Sequence, residues 1–466
     1  MNANQPLVLT PGRAHRRTPP RTSRLPIVGS IPHFLRQQHH YLVAAREIYG
    51  DIYTMSLGPL TFIALNRPEQ AQHVLVDNAR NYNKDSPFWN SLRTLLGNGL
   101  PLSEGDFWLR QRRMMQPHFH RQRLVGLTAL MMEAIDEGLA ELAVKVAPAA
   151  PLNIAQVMTQ LTMKVIVRTM FGTGLDPAEA EIVGRELAYA LDYMVPGMII
   201  QGLPGWVPIP GRHRYQAAVR AIDDVVFRVI ERRRQHEEGN DLISLLLHMV
   251  DAETGEQMTA QQLRDEAVTL FLAGYETTAS TLSWSWHALT QQPEFQSKLQ
   301  AEVDAVLGAR TLVFADLPKL CYARMVMQEA LRLYPPAYWL PRQALADDEI
   351  DGFHIPAGST VAPVTYAIHR HPDIWEAPDV FNPERFAPAQ GTEAERARHK
   401  LAWLPFGAGQ RLCIGQDFAL MEGQLILARL MQHYHMTAVP SRLAQPAIST
   451  TLRPKAGVWV QLTPRH

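Results

Sequence analysis

One cysteine stands in a setting that suits a metal-binding thiolate. Cys413 lies in the run LPFGAGQRLCIG and precedes a helical pattern that we predict from Gln416 to Tyr434. Metals bind the thiolate rather than the thiol, and the unpaired N–H groups of a helix N-terminus lower a thiol pKa. Gly409 and Gly415 let the backbone lie close to a flat ligand, and Phe406 can shield the sulfur. Taken alone, Cys413 is equally consistent with an ordinary buried cysteine, since free cysteine is among the most buried residue types.

Two adjacent threonines and an acid interrupt the longest predicted helix. The segment AGYETT, residues 273–278, is unfavourable in an apolar helix, because threonine loses rotamer freedom there and its hydroxyl competes for backbone carbonyls. A hydrogen bond from Thr277 to the Ala273 carbonyl would open the helix locally and admit water or another small molecule. Ala273 and Leu270 lie one and two turns back on the same face, so we expect them to border a ligand. A helix kink beside a solvated Glu276 is the alternative.

Three arginines and a tryptophan are candidates for holding an anion. Trp108 and Arg112 are four residues apart and therefore neighbours on one helical face, where they can present an indole N–H and a guanidinium together. Arg342 follows a double proline, and Arg411 lies just before the cysteine. Each of these cations could equally be a surface charge.

A further pair of opposite charges lies three residues apart in a predicted helix. Glu329 and Arg332 share one helical face, where such a pair contributes only about 0.2–0.5 kcal/mol. Arg385 stands farther on, in the segment FNPERF. Taken singly, these are ordinary surface residues.

The hydrophobic periodicity predicts a mainly α fold with small β sheets to position these candidates. Thr259 and Gln262 form a capping-box pattern at the start of the longest helix. The long helices are predicted at Leu124–Val146, Val157–Phe171, Gln216–Glu237, Ala260–Gln291 and Ala323–Tyr334. The strands are predicted as a hairpin of 52–57 and 61–65, then Glu349–Ile355, Thr360–Pro363 and β structure within Leu452–Leu462.

Composition bounds the remaining possibilities. The chain has 466 residues, with 45 Lys and Arg against 45 Asp and Glu, so its global charge gives no reason to expect nucleic acid or an anionic membrane as a partner. We predict a basic, proline-rich, flexible arm over residues 1–25 and one large domain over residues 26–466, because no linker or repeat follows. The two cysteines, Cys321 and Cys413, argue against a disulfide framework and favour the cytoplasm. We find no apolar stretch of membrane-span length, and the proline-interrupted segment Met194–Pro210 is better explained as an entrance lip for apolar substrates.

The combined pattern Phe406, Gly409, Arg411, Cys413 and Gly415 resembles the haem-binding loop of the cytochrome P450 family. Four separated motifs occur in the family's order, and the resemblance covers nearly all of the chain from about Pro26. It implies the cytochrome P450 fold and haem b, bound through Cys413 as the axial ligand of the iron. It also implies propionate contacts from Trp108, Arg112, Arg342 and Arg411.

The resemblance assigns roles to the other candidates as well. Thr277 would steady dioxygen, and Glu276 would relay protons for O–O cleavage. Glu329, Arg332 and Arg385 would form a buried network that supports the cysteine loop. The residues implied around the substrate pocket are Phe88, Trp89, Met198, Ile199, Leu270, Ala273, Tyr338, Trp339 and Thr450.

The implied activity is that of a haem-thiolate monooxygenase, which inserts one oxygen atom from O2 into an apolar substrate by hydroxylation or epoxidation. Fatty acids, terpenoids and steroids all remain open as substrates. The sequence has no glycine-rich nucleotide fingerprint and no iron–sulfur cysteine cluster, so we expect the protein to take electrons from a separate ferredoxin- or flavodoxin-type donor and its reductase. We also expect a monomer. A cluster of arginines could dock an acidic donor, although a solvated basic face explains them as well. The arginines are Arg110, Arg113, Arg121 and Arg123.

Two other interpretations stay open at this point. A peroxide-driven haem-thiolate peroxygenase or isomerase would not need machinery for dioxygen and protons, so Glu276 and Thr277 argue against it. A non-catalytic haem- or lipid-binding protein would bind its ligand reversibly and form no product.

Overall fold

A computed structural model describes residues 17–22, 25, 28–146, 150–172, 175–200, 210–235, 241–387 and 398–465 of the chain. Over these residues the chain forms fifteen α-helices and twelve short strands. The helices are α1 Ile31–Gln37, α2 His39–Tyr49, α3 Pro68–Gln72, α4 Pro87–Leu96, α5 Gly105–Met115, α6 Arg121–Lys145, α7 Ile154–Phe171, α8 Pro177–Ile200, α9 Arg212–Gln235, α10 Leu242–His248, α11 Ala260–Gln291, α12 Pro293–Val306, α13 Cys321–Leu333, α14 Thr365–Ile368 and α15 Gln416–His433. The strands are β1 Ile52–Leu57, β2 Leu60–Leu65, β3 Tyr82–Asn83, β4 Pro151–Asn153, β5 Arg342–Ala344, β6 Asp348–Ile350, β7 Phe353–Ile355, β8 Thr360–Pro363, β9 Tyr434–Ala438, β10 Pro446–Ile448, β11 Leu452–Pro454 and β12 Trp459–Pro464.

Helix α11 is the internal element around which the other helices pack. The predicted capping box starts it: the Thr259 hydroxyl accepts the Gln262 N–H at 3.2 Å, and the Gln262 side chain accepts the Thr259 N–H at 2.7 Å. Most of its side chains are buried, including Trp284 and Trp286. It contacts α7, α9, α13 and α15. Most residues in the middle of α11 are therefore inside the molecule, and Ala273, Gly274, Glu276 and Thr277 are its exposed or partly exposed ones.

The main sheet has the strand order β1-β2-β8-β5-β3. Its β1–β2 hairpin is antiparallel and pairs Ile52 with Leu65 and Leu57 with Leu60, as the sequence predicts. The inner side of this sheet packs on a second hydrophobic cluster, which includes Phe62, Tyr338 and Trp339. A three-stranded sheet, β4-β12-β9, and the hairpins β6–β7 and β10–β11 complete the β structure of the described residues.

The mainly α class and the five long helices are confirmed, with ends that differ by a few residues. The prediction of one strand over Glu349–Ile355 is wrong, because Asp351 and Gly352 have φ values of 49° and 76° and close a tight hairpin between β6 and β7. Asp-Gly is a favoured pair for two-residue turns of this kind. The β structure within Leu452–Leu462 is also split, since β11 pairs with β10 and β12 with β4 and β9.

The predicted helix after the cysteine is confirmed as α15, which begins at Gln416 and is buried along most of its length. No described helix combines the length and the apolarity needed to cross a membrane.

Candidate active site

A cavity of about 260 Å³ lies where α11, α15 and the cysteine loop meet. Cys413 and Thr277 both line it, together with Leu270 and Ala273 as predicted. A larger groove of about 740 Å³ lies beside the main sheet, but no cysteine lines it. We therefore take the smaller cavity as the candidate site. Its other lining residues are mostly apolar: Phe119, Ile166, Leu242, Gly274, Thr278, Thr281, Met327, Leu331, Pro336, Ala337, Leu340, Pro405, Phe406, Ile414, Gly415, Phe418, Ala419 and Leu420.

The cysteine loop is shaped by its own backbone. The Cys413 N–H donates to the Phe406 carbonyl at 2.9 Å, and the Leu412 N–H donates to the Gly409 carbonyl at 3.1 Å. Gly409 has a φ of +65°, and a Cβ at this position would overlap the Leu75 carbonyl oxygen. Only glycine fits there, because the loop is in direct contact with a distant segment of the chain.

Two opposing influences act on the Cys413 thiol. The side chain is exposed within the cavity but removed from bulk water, and this burial raises the pKa of the thiol. Three weaker effects lower the same pKa. The largest of them is a hydrogen bond from the Gly415 N–H, and the positive charges of Arg112 and Lys84 contribute less. The helix N-terminus therefore lowers the pKa as predicted from the sequence, but burial outweighs it here. A bound cation would favour the thiolate strongly.

An excess of positive charge lies beside the cysteine. Arg342 is buried, and its recorded hydrogen bond is to the Pro341 carbonyl at 2.8 Å. Lys84 is also buried and donates to the Pro101 carbonyl at 3.0 Å. Burial lowers the pKa of Arg342 to about 10 and that of Lys84 well below its usual value. Neither cation forms an ion pair with a carboxylate of the described residues, an arrangement that is costly unless an anion fills it.

Arg411 and Arg112 complete this cluster. The Arg411 guanidinium stacks 4.0 Å from the centre of the Trp108 ring and forms an ion pair with Glu104. Arg112 donates to the Leu412 carbonyl at 2.8 Å. Four cations thus face one carboxylate near the cysteine. That surplus matches a group carrying two carboxylates and a thiolate-binding metal, so the residues fit haem b.

Sequence reasoning missed Lys84 and Glu104 in this cluster. They lie far from the cysteine in the chain and belong to no motif, so only the folded structure brings them to the loop. The buried position of Lys84 after strand β3 is the one physical feature that marks it, since lysine is almost never fully buried without a partner.

The helix α11 motif has the local geometry that the sequence predicts. The Thr277 hydroxyl donates to the Ala273 carbonyl at 2.7 Å. Glu276 is not among the residues that line the cavity, and its Oε1 accepts the Thr451 hydroxyl at 2.8 Å. Burial raises the pKa of Glu276, which favours the protonated form of the carboxyl. Like Lys84 and Glu104, Thr451 is distant in the sequence from the residue that it contacts, so local sequence patterns could not reveal it.

The three residues expected to support the cysteine loop come together. Glu329 and Arg332 are fully buried and form a two-pronged ion pair with distances of 2.7 and 2.8 Å. Arg385 lies 3.4 Å from the same carboxylate. Arg332 also contacts His369, whose Nδ1 lies 3.0 Å from the Arg332 carbonyl and whose Nε2 accepts the Leu404 N–H at 3.0 Å. The network therefore reaches the first residue of the cysteine loop through a histidine that the sequence did not single out.

Several residues expected around the substrate pocket lie elsewhere. Tyr338 and Trp339 pack into the second hydrophobic cluster, where the centre of the Trp339 ring lies 4.6 Å from that of the Phe62 ring at a tilt of 36°. Ala337 and Leu340 are left to face the cavity. Large rings gain more from that apolar cluster than from the cavity edge.

The other pocket assignments also need correction. Phe88 lines the surface groove, the Trp89 indole donates to the Pro341 carbonyl at 2.9 Å, and neither lines the 260 Å³ cavity. Thr450 does not line that cavity either. The side chains of Met198 and Ile199 lie outside the described residues.

The two arginines of the predicted cluster whose side chains the structure describes are neutralised within the protein. Arg113 forms an ion pair with the buried carboxylate of Asp251 at 2.6 Å and another with Glu253 at 2.7 Å. Arg110 pairs with Glu256. The turn between α10 and α11 supplies these acids, and its approach to α5 is a tertiary contact that periodicity does not reveal. The side chains of Arg121 and Arg123 lie outside the described residues.

Comparison with known proteins agrees with this site. The family model for cytochrome P450 matches residues 19–459. The chain is 34% identical over 444 residues to cyclooctatin synthase of Streptomyces melanosporofaciens, covering 94% of each protein. It is 35% identical over 418 residues to cyclooctat-9-en-7-ol 5-monooxygenase of the same organism, covering 89% of each. Among solved structures, the cytochrome P450DA heme domain matches with a TM-score of 0.84 and 26% identity, covering 97% of this chain and 96% of that one.

The match extends over almost the whole chain, and the site supplies a cysteine, a cation cluster and an acid–threonine pair suited to haem b. The chain therefore belongs to the cytochrome P450 family and is a haem-dependent monooxygenase that uses O2 and electrons from redox partners.

Proposed function

We propose that this monooxygenase hydroxylates a cyclic terpenoid. The observation that carries the proposal is the part of the cavity lining that does not belong to the cysteine loop. It is formed by Leu270, Ala273, Thr277, Ala337 and Leu340 and is apolar apart from the threonine hydroxyl. An apolar ring system fits such a lining, because burial of hydrocarbon surface supplies the binding energy and few polar groups are needed. Two relatives match most of this chain: one is named as a monooxygenase of cyclooctat-9-en-7-ol and the other as cyclooctatin synthase.

The protein's residues have separate tasks in this reaction. When bound, haem b would supply the iron chemistry that cleaves dioxygen, and a cysteine thiolate ligand would promote that cleavage by donating electron density. Cys413 provides the thiolate, and Lys84, Arg112, Arg342 and Arg411 neutralise the carboxylates of the cofactor. Thr277 lines the cavity and presents its hydroxyl oxygen there, while its O–H bonds to Ala273. Glu276, one residue before it, has a pKa raised by burial, which favours its protonated form, and in this proposal it passes protons toward the cavity.

The electron donor in this proposal is a separate small ferredoxin or flavodoxin with its own reductase. Arg113 and Arg110 are already paired with carboxylates, so charge steering through these two residues is weaker than the sequence suggests. Arg112 and the exposed Leu412 lie at the surface of the cysteine loop and would contact the donor. We place the reaction in the cytoplasm and the protein as a monomer, as the sequence led us to expect.

The experiment uses the haem-loaded protein and a panel of cyclic terpene alcohols, fatty acids and steroids. Binding is measured by the shift of the haem absorption band, and turnover by products heavier by one oxygen atom, with a surrogate ferredoxin and reductase under O2. Oxygenated terpenoid products that require the donor would support the proposal.

Three results would contradict it. Products from fatty acids or steroids alone would refute the substrate class. Products formed only with hydrogen peroxide would favour a peroxygenase. Reversible binding across the whole panel without any product would favour a binding protein.

A further inference from the structure

The carboxyl of Glu276 is held by a hairpin from the far end of the chain. Thr451, in the turn between β10 and β11, donates its hydroxyl to Glu276 Oε1 at 2.8 Å. Two residues later, Arg453 forms an ion pair with Asp192 of helix α8. Thr451 and Arg453 flank the buried Leu452, and in extended chain such alternate residues point to the same side. Glu276 therefore faces one hydroxyl and one pair of opposite charges.

The hairpin cannot slide along α11, because backbone contacts fix it. The Leu452 N–H donates to the Pro336 carbonyl at 3.1 Å, and the Leu452 carbonyl accepts the Ser280 hydroxyl at 2.8 Å. Tyr338 donates to the Ser449 carbonyl at 3.2 Å. Ser280 lies one turn beyond Glu276 on α11, so the hydroxyl of Thr451 is anchored within one helical turn of the carboxyl that it contacts.

The charges around Glu276 act in opposite directions. Arg453 lowers the pKa of Glu276, whereas Asp192 raises it. The two side chains are 42% and 57% exposed, so they connect the enclosed carboxyl with solvent. Tyr275 is the remaining titratable neighbour and lies on α11 itself. With the pair intact the two charges act against each other, and burial and the Thr451 hydroxyl have larger effects on the pKa of Glu276 than either charge.

On the premise that Glu276 supplies protons to the cavity, as proposed above, we propose that Thr451 is a positioning residue for that carboxyl. In this arrangement the Arg453–Asp192 pair sets the charge environment of the acid. The hydroxyl of Thr451 fixes one carboxyl oxygen, so the other is presented in a single orientation. Without it the carboxyl rotates freely between solvent and the helix, and fewer orientations lead to productive proton transfer.

The test compares four single variants of the haem-loaded enzyme. Thr451→Val removes the hydroxyl and keeps the shape, and Thr451→Ser restores a hydroxyl. Ser449→Ala is the matched control, since it removes a hydroxyl from the same turn without touching Glu276. Glu276→Gln defines the effect of losing the acid. Product per electron pair is measured under O2 and compared with turnover driven by hydrogen peroxide, which needs less proton delivery.

We expect Thr451→Val to lower O2-driven product formation about tenfold, the size expected for loss of one hydrogen bond to an ionisable group. Thr451→Ser should recover it, Ser449→Ala should equal the wild type, and peroxide-driven turnover should not change. In pH-difference infrared spectra, the carboxyl band that disappears in Glu276→Gln should shift in Thr451→Val. Equal losses with O2 and peroxide, or an unshifted carboxyl band, would overturn the inference.

The charged pair gives a second, independent prediction. Asp192→Asn leaves Arg453 alone beside Glu276 and should move the alkaline fall of O2-driven activity to lower pH. Arg453→Gln leaves Asp192 and should move it to higher pH. Shifts in the same direction, or none, would refute the assignment of the pair.

Failure of the two proposals can be told apart. If Glu276→Gln keeps full O2-driven turnover, the acid is not the proton donor and the proposed function is wrong on this point. The infrared shift in Thr451→Val tests the contact between Thr451 and Glu276 regardless of that result.

Discussion

Removal of the buried acid that supports the cysteine loop should prevent stable haem loading. Glu329 and Arg332 are both fully buried, and Arg332 has no other carboxylate within ion-pair distance in the described part of the chain. In Glu329→Ala the guanidinium keeps its bonds to backbone carbonyls, at 2.8 Å to His369 and 2.6 Å to Pro378, but loses its only counter-charge. Stranding one charge of a buried pair costs about 3–5 kcal/mol.

That cost is a large part of the stability of a typical protein, which is about 5–15 kcal/mol. It lowers the folding equilibrium constant by about two to four powers of ten, at about 1.4 kcal/mol for each power. Arg385 adds to the effect, since it lies 3.4 Å from the same carboxylate and also loses its partner. We expect Glu329→Ala to be recovered with little haem, because Arg332 and His369 lead directly to Leu404 in the cysteine loop.

The assay is urea unfolding of the purified proteins together with haem content from absorption spectra. Glu384→Ala is the matched control, because Glu384 lies next to Arg385 and forms an ion pair with Lys298 in which both side chains are more than 40% exposed. Exposed pairs contribute about 1 kcal/mol or less. If Glu329→Ala costs no more than Glu384→Ala and binds haem normally, the supporting role assigned to Glu329 is wrong.

Three other outcomes follow from the same geometry. The pKa of His369 is lowered from 6.5 to about 3, so between these values the unfolded chain binds more protons and the free energy of unfolding should fall by about 1.4 kcal/mol for each unit of decreasing pH. In unfolding titrations across pH, His369→Asn should reduce that slope, and an unchanged slope would refute the assignment. Lys84→Met should leave the haem-free protein as stable or more stable, while the haem-loaded protein loses its cofactor faster to apomyoglobin; slower haem loss would contradict the proposed role of the buried cations. Gly409→Ala should cost about 1–3 kcal/mol or more, because alanine is strained at φ +65° and its Cβ would overlap the Leu75 carbonyl, and a neutral result in thermal unfolding would show that the loop can relax.

The parts of this site that depend on neighbours in sequence could be predicted. The Thr277 hydroxyl bonds to a carbonyl one turn away, and the capping box of α11 spans three residues, so helix geometry alone fixes both. The Glu329–Arg332 pair was also visible as a spacing, although only the resemblance to known proteins implied that it is buried. These predictions follow from the regular geometry of an α-helix.

Contacts between distant segments could not be predicted in this way. Lys84, His369 and Thr451 each reach the site from an irregular segment or a turn, where no periodicity fixes the direction of a side chain. Trp339 and Arg113 show the opposite error. Trp339 suited a substrate pocket by its residue type, but it packs in the second hydrophobic cluster. Arg113 suited a docking face, but it forms an ion pair with the buried carboxylate of Asp251.

The surplus of cations beside Cys413 has a consequence for the life of this protein in the cell. Before haem binds, the folded protein buries the positive charges of Lys84 and Arg342 without a compensating anion. Conformations that expose these two side chains to water are therefore favoured. Such opened molecules are the preferred substrates of proteases. Binding of the cofactor compensates these charges and shifts the population toward the closed form by mass action. The amount of this enzyme that accumulates should therefore follow the supply of haem, even when its gene is expressed at a constant rate.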